Sequence, residues 1–114
     1  VDWNMVLDRT GGPNLADNWC IAPVIVDTAS DEVYYTPLYF IMSHFSKYIR
    51  PGAKVLSVDQ QGELLVAAVK NENGSIACVV LNQPSEKQEF AININGEISY
   101  HIIDGQAIQT IVID

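Results

Sequence analysis

Turn dipeptides fix what the second half of this chain can become. Gln60-Gln61-Gly62, Asn73-Gly74, Pro84-Ser85-Glu86-Lys87, Asn95-Gly96 and Asp104-Gly105 recur at intervals that leave room only for single strands between them. Asn-Gly and Asp-Gly supply the positive φ angles that tight hairpins demand, so successive strands must turn back on one another.

The segments between those turns read accordingly. Residues 53–59 and 64–70 flank Gln60-Gln61-Gly62, and Asn73-Gly74 makes a hairpin into 75–82, which contains the apolar run Ile76-Ala77-Cys78-Val79-Val80-Leu81. Phe90-Ala91-Ile92-Asn93-Ile94 alternates apolar and polar residues, and Asn95-Gly96 turns it into Ile98-Ser99-Tyr100-His101-Ile102. A last strand follows over 107–114. About six strands with no helix among them predict an antiparallel β-sandwich or partial barrel over residues 53–114.

Residues 1–52 carry α/β signals instead. Val1-Asp2-Trp3-Asn4-Met5-Val6-Leu7-Asp8 reads as a buried strand that runs into the loop Arg9-Thr10-Gly11-Gly12-Pro13-Asn14, and Ala22-Pro23-Val24-Ile25-Val26-Asp27 is a short apolar run. One helix is well marked, with Thr36 as N-cap, Pro37 at the first helical position and Leu38, Ile41, Met42, Phe45 and Ile49 along one face. Lys47 and Arg50 sit where the helix dipole favours cations, and Pro51-Gly52 ends it. The chain opens with no initiator Met and with a strand, so it reads as the continuation of something longer.

Composition excludes several functions. With 114 residues of which 48% are hydrophobic, the chain has material for a real core, as one domain or part of a larger one. Fourteen acidic against six basic residues give a net charge of −8, and with no Lys/Arg cluster to offset it nucleic acid is a poor partner. No apolar run approaches the roughly 20 residues of a membrane span. Cys20 and Cys78 have no framework or metal-site spacing, so no disulfide and no metal are expected, and nothing calls for a cofactor.

Catalytic motifs are equally sparse. There is no phosphate loop and no nucleophile elbow, and His44 and His101 stand alone, as packing or surface residues do. Asp31-Glu32 reads as a helix-start or solvated pair rather than a catalytic dyad. The sequon Asn73-Gly74-Ser75 is explained by its turn, although its pattern is that of a glycan acceptor. What remains is Trp3, Asn4, Asn14, Asn18 and Trp19. Aromatic faces stack on sugar rings and Asn amides both donate to and accept from hydroxyls, so this cluster suits carbohydrate; a core Trp and ordinary turn asparagines are the alternative.

Spacing brings in a resemblance. Trp3-Asn4-Met5-Val6-Leu7-Asp8 with Gly11-Gly12-Pro13-Asn14, Asn18 and Ala22-Pro23-Val24-Ile25-Val26-Asp27 resembles the C-terminal part of glycoside hydrolase family 30, the glucosylceramidase family. Pro37-Leu38-Tyr39-Phe40 and His44-Phe45-Ser46-Lys47-Tyr48-Ile49-Arg50-Pro51-Gly52 are similar to the family's last barrel helix and its exit, and Val79-Val80-Leu81-Asn82 to a strand of its β-domain.

The resemblance implies a retaining β-glycosidase that hydrolyses β-glucosidic bonds in glycosphingolipid or β-glucan, built as a TIM (β/α)8 barrel with a β-sandwich. Residues 1–52 would be the barrel's last strand, loop and helix, and 53–114 the sandwich. Such enzymes work through two carboxyl groups about 5 Å apart. The family places both on glutamates of earlier strands, the acid/base within Asn-Glu-Pro, a motif absent here. The implication is a C-terminal portion, inert alone, of a secreted or lysosomal-type enzyme. By the same resemblance Trp3 lines the sugar subsite and Asn18 reaches the same pocket from the following loop; no residue here is catalytic. Leu15, where the family usually has an aromatic, and Ile21, where an acidic residue is usual, set the pocket rim and the aglycone apart.

Two expectations follow. A lone parallel strand and a helix stripped of its barrel make 1–52 the weaker half, so the isolated chain should be a homo-oligomer or prone to aggregate. The competing reading is a non-catalytic β-sandwich module that binds carbohydrate or another protein.

Overall fold

The computed structural model describes residues 3–13, 16–17 and 19–114. They form two compact units, Val1–Ser43 and His44–Asp114.

The first unit holds a three-stranded sheet of β1 (Val6–Asp8), β2 (Val24–Asp27) and β3 (Glu32–Tyr35), in that order. β1 and β2 run parallel, with Val6 opposite Val24 and Asp8 opposite Val26. β2 and β3 are antiparallel, with Val24 opposite Tyr35 and Asp27 opposite Glu32. Leu7 and Ala22 are its buried apolar residues.

Three sequence expectations change here. The opening strand does not extend over 1–8: among the described residues it begins at Val6, because Asn4 has φ 58 and that left-handed residue breaks the pleat. Trp3 is accordingly not buried in it but 81% exposed. Nor is β1 without a partner, since the apolar run near residue 24 supplies one in parallel. Asp31-Glu32 starts no helix but is a solvated pair, the other reading: Asp31, at φ 56, sits in the β2–β3 turn, Glu32 opens β3, and both are exposed.

Helix α1 covers Pro37–Ser46, and none of its residues is buried. Pro37 takes the first position as expected, but the Thr36 side chain does not cap. Its hydroxyl donates to the Ala22 carbonyl at 3.0 Å and the Pro23 carbonyl at 3.2 Å, pinning the helix start to the entry of β2. The regular helix ends at Ser46, short of Arg50. One further turn survives as the Ile49 amide bond to the Phe45 carbonyl, 2.8 Å. Pro51 disfavours helical geometry at Arg50, so the turn goes no further.

The second unit is antiparallel throughout. A four-stranded sheet runs β4 (Lys54–Val55), β5 (Leu65–Lys70), β6 (Ile76–Asn82), β9 (Ala107–Ile113), and β7 (Gln88–Ile94) pairs with β8 (Glu97–Ile103) as a separate ribbon. β6 is central and carries the core, with Ala77, Cys78, Val79 and Val80 all buried. Ile103 from β8 joins them. The ribbon turns Phe90, Ile92 and Ile94 towards Val66, Ala68, Ile76 and Cys78 of the sheet, across a cleft of about 670 Å³. The strand expected over 53–59 is only two residues long, continued by one bond from the Leu56 amide to the Ala68 carbonyl, 2.9 Å.

The turns do what their residues require. Asn95 (φ 54) and Gly96 (φ 96) are both left-handed, the two-residue hairpin geometry that matches strand twist. At Asp104-Gly105 the constraint is proximity, because a Cβ on Gly105 would run into the Ser85 backbone carbonyl. Gly105→Ala is therefore expected to cost about 1–3 kcal/mol by overpacking, read as a lower urea midpoint at unchanged slope. An unchanged midpoint would mean that the 84–85 loop yields freely.

Both cysteines are free, and burial pushes the Cys78 thiol up. No helix among the described residues is long and apolar enough to cross a membrane.

Candidate sugar-binding loop

The loop after β1 is organised by the last residue of that strand. Asp8 Oδ1 accepts from the Thr10 amide (2.8 Å), the Thr10 hydroxyl (2.7 Å) and the Gly12 amide (2.9 Å). The backbone closes the same turn, the Asp8 amide donating to the Gly12 carbonyl at 2.8 Å and the Gly11 amide to the Asp8 carbonyl at 3.1 Å. Gly11, at φ 76, lies so near the returning limb that a Cβ there would sit 2.8 Å from the Cys20 nitrogen. A Gly-Gly pair at this point lets the two limbs approach; a side chain at Gly11 would force them apart.

A second carboxylate lies at the same end of the sheet, because β1 and β2 are parallel. Asp27 Oδ2 accepts from Arg9 Nη1 at 2.8 Å, and its Oδ1 from the Ala29 amide at 3.0 Å. The Arg9 guanidinium is raised, chiefly by its bond to Asp27. Along β3, the Tyr34 hydroxyl donates to Glu32 two residues before it, which raises the phenol.

These contacts fix what the two aspartates can do. Asp8 is held below the usual carboxylate range, first by the Thr10 hydroxyl and then by the Gly12 and Thr10 amides. Asp27 is held low chiefly by Arg9 and then by the Ala29 amide. A glycosidase general acid needs the opposite shift. Through these hydrogen bonds Asp8 and Asp27 shape the loop.

The same shifts set a pH dependence. A carboxylate with a depressed folded pKa stabilises the fold above its unfolded value of about 3.9, and that contribution is lost as pH falls through the folded value. The thermal midpoint is expected to be level above about pH 5 and to drop below about pH 4. The double variant Asp8→Asn, Asp27→Asn should flatten part of that acid limb; an acid limb identical to the unmodified protein's would assign it to other groups.

Of the residues singled out in the sequence, Trp3 and Trp19 are 81% and 79% exposed, and Asn4 is half-buried. Ile21 is also exposed. Asn14, Leu15 and Asn18 lie outside the described residues. Trp3 precedes β1 and is cut off from it by Asn4, so it lies outside that strand.

The histidines are tied to hydroxyls. His44 Nδ1 lies 2.8 Å from the Thr110 hydroxyl, and His101 Nε2 lies 2.8 Å from the Ser99 hydroxyl with its ring 5.4 Å from that of Phe90. All six glutamates, Glu32, Glu63, Glu72, Glu86, Glu89 and Glu97, are exposed. No group of three or more potential metal ligands occurs among the described residues.

Sequence reasoning missed two polar anchors. Asn71 is buried between the helix exit and the β5–β6 hairpin: Nδ2 donates to the Tyr48 carbonyl (3.0 Å) and Ser75 Oγ (3.1 Å), and Oδ1 accepts from the Arg50 amide (3.1 Å). Asn82 is fully buried, and its Nδ2 donates to the carbonyls of Glu86 (2.7 Å) and Asp104 (3.0 Å). An Asn at a strand end is the signal, but only the fold tells a buried anchor from a surface turn.

Comparison with known proteins gives the class first. Residues 1–49 match the glycosyl hydrolase family 30 TIM-barrel domain and residues 52–111 the family's beta sandwich domain. This is the architecture of a glycosyl hydrolase in which a barrel is joined to a sandwich, and it agrees with the fold class read from the sequence. The chain belongs to glycosyl hydrolase family 30. The lysosomal acid glucosylceramidase of Mus musculus is 36% identical over 95 residues, covering 82% of this chain and 18% of that protein. Putative glucosylceramidase 4 of Caenorhabditis elegans is 34% identical over 116 residues, 96% of this chain and 21% of that protein. The chain thus spans about a fifth of the length of these relatives. Among solved structures, SrfJ from Salmonella typhimurium superposes with a TM-score of 0.91 at 27% identity, over 98% of this chain and 25% of that one. An endo-beta1,6-glucanase superposes at 0.84 and 20% identity, over 95% of this chain and 25% of that one, a likeness of fold.

Proposed function

We propose that this chain is the substrate-binding and C-terminal portion of a retaining β-glycosidase acting on β-linked glucosides. Residues 1–52 complete the barrel and 53–114 form the sandwich. Trp3 is one wall of the sugar subsite and Asn18 contributes from the opposite rim; both catalytic glutamates lie outside the chain, which is inert alone.

The observation that carries this reading is Trp3. Its indole is 81% exposed and lies just before the left-handed Asn4, outside β1. By the family resemblance this Trp closes the barrel's last strand, and a barrel's active site is built on strand ends and the loops that follow. An indole presented there offers a flat face to the C–H side of a sugar ring. The sequence supports the other half: it contains no Asn-Glu-Pro, the motif that carries the acid/base in the family it resembles. Glucosylceramide and other β-glucosides remain alternatives within this reading, since the relatives' names include glucosylceramidases and the fold neighbours an endo-beta1,6-glucanase.

The test is the stereochemistry of the first product. When the whole protein containing this chain cleaves an aryl β-glucoside in an NMR tube, the β-anomer should appear first and mutarotate later, as two successive inversions require. Initial release of the α-anomer would overturn the retaining mechanism.

A further inference from the structure

We propose that Asn73 is an acceptor for an N-linked glycan, carried on the tip of the β5–β6 hairpin. Asn73-Gly74-Ser75 is the one Asn-x-Ser/Thr tripeptide in the sequence; the other Asn-Gly turn, Asn95-Gly96, is followed by Glu97 and lacks the hydroxyl.

The fold divides the two ends of the Asn73 amide between two uses. Oδ1 accepts from the Ser75 amide at 3.1 Å and from the Ser75 hydroxyl at 2.8 Å, closing the turn through the side chain. The backbone reinforces it, the Asn71 amide donating to the Ser75 carbonyl at 2.8 Å and the Gly74 amide to the Asn71 carbonyl at 3.0 Å. Nδ2, the atom that a glycan occupies, donates to nothing among the described residues, and Asn73 is exposed. A Cβ built on Gly74 meets nothing within 4 Å, so the space around the tip is open. Glycosylation at Nδ2 thus costs the hairpin none of its hydrogen bonds.

In the transfer, Nδ2 forms a bond to the anomeric carbon of a lipid-pyrophosphate-linked oligosaccharide. The bond from that carbon to the pyrophosphate oxygen breaks, the lipid pyrophosphate leaves with the electron pair, and one amide proton passes to a base of the transferase. Ser75 is buried in the folded protein, where its hydroxyl is shared between Asn71 and Asn73. The transferase therefore meets the tripeptide before the hairpin closes, and the folded protein accommodates the product.

The location gives the glycan a consequence. Gly74 lines a groove of about 300 Å³ together with Ile76, Ile92, Ile94, Ile98 and Ile113. The first sugars on Asn73 would overhang this apolar groove and shield it from other chains.

The test is mass mapping of the protein purified whole from its own source. Trypsin releases residues 71–87 as one peptide. That peptide is expected to carry hexose and N-acetylhexosamine mass, and to collapse to a single species with Asp at position 73 after amidase deglycosylation. Recovery of 71–87 only in unmodified form would overturn the proposal. Asn73→Asp keeps the Oδ1 acceptor and removes Nδ2, so expressed in the same host it should lose the glycan while its thermal midpoint stays within the range of the deglycosylated protein. Glycan mass persisting on 71–87 in that variant would equally overturn it.

Discussion

Replacing Asn71 with alanine is expected to lower stability by about 3 kcal/mol. Its three hydrogen bonds each contribute about 1 kcal/mol net, and the truncation leaves the Tyr48 carbonyl, the Arg50 amide and the Ser75 hydroxyl without the partner they now have. The bonds also bridge distant stretches of chain, the turn after α1 and the β5–β6 hairpin, so no neighbouring residue can take over. In a unit of this size the loss corresponds to a fall of roughly 10–20 °C in thermal midpoint. Calorimetry or denaturant unfolding measures it, and a change below about 1 kcal/mol would show that water replaces the amide without penalty.

The second large effect is functional. In the whole protein, Trp3→Ala is expected to lower kcat/KM for an aryl β-glucoside by about 10–100-fold, equivalent to about 1.4–2.7 kcal/mol of lost transition-state binding. Trp3→Phe keeps a stacking face and should lose only about 3-fold. The thermal midpoint of each variant is measured beside the kinetics. That separates a subsite role from a packing role: a stability loss without a kinetic one would mark Trp3 as a plug against the rest of the barrel.

Where the structure was legible in the sequence, the cause was local. Asn95-Gly96 forces a hairpin because two adjacent residues must both be left-handed, and both are. Thr36-Pro37 marks a helix start because proline fixes φ and needs no donor there. Even so, the Thr36 hydroxyl went to Ala22 and Pro23, a choice set by the tertiary position of β2. What was not legible depended on partners far along the chain. The parallel pairing of β1 with β2 has no turn to announce it. Residues 53–59 read as a full strand, yet β5 pairs with Lys54 and Val55 and adds one bond to Leu56.

The candidate site divides in the same way. Gly11-Gly12 was readable as a tight loop, but its organiser is Asp8, an acidic residue at a strand end whose role appears only when Thr10 and Gly12 fold back on it. Trp3 reads as part of a buried strand because Val1, Met5, Val6 and Leu7 near it are apolar; one left-handed residue, Asn4, is enough to set it outside.

Covalent trapping tests the central claim most directly. A 2-deoxy-2-fluoro-β-glucoside with a good leaving group forms the glycosyl-enzyme intermediate quickly and releases it slowly, so the nucleophile stays labelled through peptide mapping. In the whole protein the label is expected on a glutamate outside these 114 residues, and this chain alone should take up none. A label on Glu32, Glu63, Glu72, Glu86, Glu89 or Glu97 would contradict the account.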